Sequence, residues 1–217
     1  FRQEYMASFE AQGSDIFKEE WIQMSEDEPD TGDWFVSIDM AGFEEAGRKK
    51  KTQLDKTAIA IAKVNEDGWW VKDIIYGRWT FDETTRRIFN VVEEYDPVSV
   101  GLEAGIAKQA IVSPLIDMMR KKNVYFNIKE LSHGNKNKLN RVVSALQGRF
   151  EHGAIKLKKG KWNVEFLDQL FQFPNPQVHD DMVDAIAYID QIAKTSYYQN
   201  FNVEETEYEP LDATAGY

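Results

Sequence analysis

Two hydrophobic periods alternate along this chain, and their order sets out a fold. Residues 34–40, 57–64 and 69–76 are rich in Val, Ile and Trp with the short repeat of strands. The second and third are joined by Asn65-Glu66-Asp67-Gly68, which predicts a hairpin. Residues 81–95 switch to helical spacing, with Phe81, Thr85, Ile88 and Val92 on one face and Asp96-Pro97 as the stop. A fourth strand is expected at 98–103 and a fifth at 123–131, separated by a helical stretch at 106–122 that Pro114 is expected to break. Helices at 136–153, 162–173 and 179–194 follow, with a short apolar segment, Ile155-Lys156-Leu157, after the first of them.

That order predicts an α/β fold: a mixed sheet of three antiparallel strands and then two parallel ones, with helices on both faces. Strand one then lies centrally beside strand four. Asp39 and Glu103, each the last acid of its strand, emerge at neighbouring strand ends. The last helix packs back through Met182, Val183, Ile186 and Ile189, which carries its first turn, including Asp181 and Asp184, to the same edge.

Composition narrows the chemistry. With 217 residues, 42% of them hydrophobic, the chain can bury one sizeable core. Its longest apolar run, near Ala185 to Ile192, is interrupted by Tyr188, Asp190 and Gln191 and is far shorter than the roughly 20 residues a bilayer requires. There is no secretory signal and no cysteine, so disulfides are excluded. The net charge of −11 is concentrated at the ends: residues 1–31 carry −7 and residues 196–217 carry −5, leaving the body near neutral. Its bases cluster at Lys136, Lys138, Arg141, Arg149, Lys156, Lys158, Lys159 and Lys161, with Glu151 the one acid among them. Such a patch suits a phosphate backbone or a solvated helix face. A second basic group, Arg48, Lys49, Lys50 and Lys51, tips the long connection between strands one and two and is a further candidate DNA contact.

Asp39, Glu103 and the group Asp180, Asp181 and Asp184 carry the strongest chemical signal. Two carboxylates about 4 Å apart repel by roughly 4 kcal/mol at an effective dielectric of 20, so such a cluster requires compensation. Mg²⁺ or Mn²⁺ would supply it through hard oxygen ligands, whereas three histidines and no cysteine argue against zinc. Asp180 could equally cap the last helix. His179 is a candidate to orient a ligand, and His133 and His152 look incidental. Gly42 to Thr52 imitates phosphate-loop spacing, but Arg48 and Lys49 stand where Lys and Ser/Thr belong and a strand follows.

At this point the residues carry a resemblance. IDMAG, TAIAIAKV, VGLEAG and HDDMVDAIAY, in this order, resemble the nuclease domain of the large terminase subunit of tailed bacteriophages, within the ribonuclease H-like superfamily. The opening FRQEYMASFEAQGSDIF resembles the stretch that joins the packaging ATPase of that family to its nuclease. The resemblance implies residues 1–31 as a linker from an upstream ATPase domain and 32–195 as the nuclease; residues 196–217, with five acids, no base and no sustained period, are expected to form an acidic, disordered tail. It implies a viral endonuclease of the host cytoplasm that cuts concatemeric double-stranded DNA when packaging starts and ends, with the portal and the small terminase subunit as further partners. Asp39 matches the family's first-strand aspartate, Glu103 its fourth-strand acid and Asp181 the helix ligand, with Asp180 and Asp184 as alternatives. Two divalent ions are implied as cofactors. A junction resolvase or transposase would share these acids, and a non-catalytic DNA-binding module is the reading outside enzymes; metal-dependent cutting separates the latter.

Overall fold

The computed structural model describes residues 16–40, 56–132 and 137–197. Arg48, Lys49, Lys50, Lys51 and Lys136 lie outside the described residues, as do the first 15 positions and those from 198 on.

The expected strands form β2 (Asp33–Asp39), β3 (Thr57–Asn65), β4 (Gly68–Gly77), β5 (Ser99–Glu103) and β6 (Ile128–Leu131). Two short strands, β1 (Gln23–Met24) and β7 (Ile155–Leu157), widen the sheet to seven strands in the order β1-β7-β4-β3-β2-β5-β6. β2 runs antiparallel to β3 and parallel to β5, with Ile38 opposite Leu102, and the β3–β4 hairpin is antiparallel. β7 joins β4 in parallel register, which brings Ala154 against the hairpin turn. A Cβ on Gly68 there, at φ +131°, would sit 2.1 Å from the Ala154 carbonyl oxygen, so only glycine fits.

The helices are α1 (Phe81–Tyr95), α2 (Ile106–Lys122), α3 (Lys138–Val142), α4 (Gly148–Glu151), α5 (Trp162–Gln172) and α6 (Asp181–Tyr197). α1 opens on a capping box in which the Thr80 and Glu83 side chains bond each other's backbone amides. Pro114 does not break α2, contrary to expectation. Ile111, Leu115 and Met119 lie on both sides of it and pack into one apolar cluster, which holds the two halves in line. The predicted helix at 136–153 is divided: a π-helical turn, Val143–Gln147, separates α3 from α4. The fifth strand is shorter than 123–131: Asn123 ends α2 in a left-handed conformation, and pairing with β5 begins only at Ile128.

Apolar cores cover both faces of the sheet. On one face Val36, Ile38, Ile59 and Ile61 meet α1 and α2. On the other, the strand residues beneath α6 are small: Ser37, Ala58, Ala60 and Ala62 are all buried. Their size lets α6 approach the sheet so closely that the Ser37 hydroxyl donates to the Ala185 carbonyl at 2.5 Å. Phe17, upstream of the expected boundary at residue 32, is buried against Phe150 and Phe173. Among the described residues no helix is long and apolar enough to cross a membrane.

Candidate active site

The acids meet where β2 and β5 end and α6 begins. Parallel pairing of the two strands sets Asp39 beside Glu103, and the Met40 amide donates to Glu103 Oε2 at 3.4 Å. The Glu103 carboxyl lies within hydrogen-bonding reach of the Asp39 carboxyl, which favours the protonated form of Asp39. Burial, then the hydrogen bond to Glu103, then the charges of Glu103, Asp184 and Asp181 hold the Asp39 carboxyl well above the usual carboxylate range. Residues 39, 103, 181 and 184, remote in sequence, thus share one electrostatic environment.

Other side chains fix the acids in place. Tyr188, one helical turn beyond Asp184, donates its hydroxyl to Glu103 Oε1 at 3.3 Å. Burial first, and then the Glu103 charge, raise the Tyr188 phenol, so it keeps the proton it donates. Tyr76, at the end of β4, donates to Asp181 Oδ2 at 3.4 Å. Gln169 on α5 donates to the Tyr76 oxygen at 3.1 Å and accepts from the Met182 amide at 2.9 Å. One buried glutamine therefore satisfies a first-turn amide of α6 and steadies the tyrosine that reaches its first acid.

Asp184 and Asp180 are engaged by cations. Asp184 is buried and pairs with Arg141 Nη2 at 2.5 Å and with Lys138 Nζ at 2.5 Å, while Lys138 also reaches Asp180 Oδ1 at 2.7 Å. The Arg141 guanidinium lies 4.6 Å from the centre of the Tyr188 ring. Desolvation works against its charge, but Asp184, together with Tyr188 and Asp39, holds the guanidinium pKa above its ordinary value. Arg141 is thus buried against α6 rather than presented on a basic surface, and its α3 neighbour Lys138 stands at the rim.

Among the described residues no group of three or more His, Asp or Glu is arranged as a ready metal cage. Asp180 and Asp184 are instead held by Lys138 and Arg141. The donor set consists of hard carboxylate oxygens carrying more negative charge than the nearby cations offset, which fits a hard divalent ion. Tyr76, Gln169 and Tyr188 were not among the sequence candidates. Tyr188 was legible in principle, since it lies four residues after Asp184 on the same helix face; Gln169 carries no such signal.

The comparisons agree with this fold. Residues 44–190 match the family described as Terminase RNaseH-like domain, a span that contains Glu103 and the α6 acids and begins just after Asp39. No curated protein matches the chain. Among solved structures, the large terminase nuclease from thermophilic phage G20c is 17% identical with a TM-score of 0.54, covering 78% of this chain and 93% of that one. The P22 large terminase nuclease domain is 13% identical with a TM-score of 0.56, over 82% and 90% of the two chains. The G20c nuclease with bound magnesium is 15% identical with a TM-score of 0.52, over 82% and 96%. With the family matched over most of its length and the same fold in these nucleases, the chain belongs to the Terminase RNaseH-like domain family, as a terminase nuclease domain of ribonuclease H-like fold.

Proposed function

We propose that this domain is a metal-dependent endonuclease that cuts concatemeric double-stranded viral DNA at the start and end of genome packaging. The observation that carries the reading is the convergence of Asp39, Glu103 and Asp181 where parallel strands and a helix tip meet. Asp39, Glu103 and Asp181 would hold two Mg²⁺ or Mn²⁺ ions, and the magnesium bound by the G20c nuclease supports a hard divalent ion. Bound there, such ions supply a water of lowered pKa and neutralise the phosphate and the leaving oxygen.

The chain's own residues prepare that chemistry. Asp39, which burial holds protonated, would release its proton to solvent, leaving its carboxylate to ligate beside Glu103. Tyr188 and Tyr76 orient Glu103 and Asp181 through their hydroxyls. Asp184, already neutralised by Arg141, anchors the first turn of α6. Lys138 and the bases at 48–51 and 136 are the DNA contacts we assign, and an upstream ATPase domain, the portal and the small terminase subunit are the partners, in the host cytoplasm.

Asp39→Ala should abolish nicking and linearisation of plasmid DNA in Mg²⁺ or Mn²⁺ while the circular dichroism spectrum stays that of the wild type. Unchanged nicking would defeat the proposal.

A further inference from the structure

Lys138 and Arg141 lie one turn apart on α3 and reach the same carboxylate, yet their settings differ. The Arg141 side chain is 10% exposed and held by Asp184 and the Tyr188 ring, whereas the Lys138 side chain is 45% exposed. Asp184 already has a buried guanidinium at 2.5 Å, so Lys138 is a second cation on it. What Lys138 adds is compensation for the wider group, because its ammonium also bridges to Asp180, beside Asp181. Desolvation favours the neutral amine, but Asp184 and Asp180 outweigh it and hold the Lys138 ammonium's pKa above its ordinary value.

Resting on the metal-dependent reading above, we infer that Lys138 is an exchangeable counter-ion, bound to Asp180 and Asp184 until divalent ions load, and then transferred to a DNA phosphate. Asp39, Glu103 and Asp181, once they held a divalent ion, would no longer present the unbalanced negative charge that draws in the neighbouring ammonium. Arg141 cannot leave without abandoning a buried carboxylate. Lys138 can, because its flexible stem already stands at the rim and an ammonium bonds phosphate as a point charge. Metal loading would thereby create a phosphate contact that the metal-free protein lacks.

The inference predicts opposite effects of one substitution on two ligands. In calorimetry without DNA, Lys138→Gln should bind Mn²⁺ several-fold more tightly than the wild-type chain, since a competing cation is gone. In anisotropy of a labelled duplex across a salt series, Mn²⁺ should steepen the wild-type dependence of log K on log salt by about 0.9, the value for one phosphate contact on B-DNA. Mn²⁺ should leave the Lys138→Gln slope unchanged, and Lys138→Arg should restore the steepening. A merely structural lysine predicts weaker Mn²⁺ binding and a lower melting temperature in Lys138→Gln, and that result overturns the inference. Wild-type binding of Mn²⁺ that Lys138→Gln leaves unaltered overturns this inference alone; no binding by the wild type overturns the metal-dependent reading with it.

Discussion

Asp39 shows what one residue concedes for its position. Its carboxyl is raised chiefly by burial and next by Glu103, so the folded value exceeds the unfolded one, near 4. A raised carboxyl favours the folded state while protonated. That contribution is complete below about pH 4 and is lost as pH rises through the raised value. Metal-free protein should therefore lose stability between the two, and Asp39→Asn, which cannot ionise, should lose less. Melting temperatures in chelator from about pH 4 to 8 measure this; parallel curves for the two proteins would refute it. Asp39 and Glu103 were readable as acids at strand ends. The role of Arg141 was not, because a sequence shows charge but not burial, and this base belonged by composition to a surface patch.

Between elements, the tie that matters is α3 to α6. Arg141→Met would leave Asp184 buried and opposed only by Lys138, so we expect a loss of about 3 kcal/mol in urea unfolding, the usual result of breaking a buried pair from one side. Lys138→Met, at the rim, should cost at most about 1 kcal/mol. Element type was legible wherever the apolar period was long: β2, β3, β4, α1 and α6 all stand close to where the pattern put them. Pro114 misled because its local rule is overridden by the packing of Ile111, Leu115 and Met119. β7 has only three residues, and its strand character comes from pairing with Val71 and its neighbours, a partner that no local pattern reveals.

For the molecule as a whole, the described residues before position 32 are part of the packing. Phe17 fills the core on the α6 face, and β1 adds to β7 at the sheet edge. Phe17→Ala should cost about 3 kcal/mol, the usual scale for a buried phenylalanine, and a shift of the urea midpoint would register it. No local pattern warned of this, since residues 1–31 are rich in acids and their apolar members show no sustained period.

The floor of small side chains beneath α6 has a consequence for how the protein can vary. Ser37, Ala58, Ala60 and Ala62 contribute no chemistry, yet they set the height at which the helix tip rides over the sheet. Any added methylene in that strip would lift Asp181 and Asp184 away from Asp39 and Glu103 before it threatened folding. Substitutions tolerated for solubility and expression would therefore disarm the site from below, at positions that supply no carboxylate of their own.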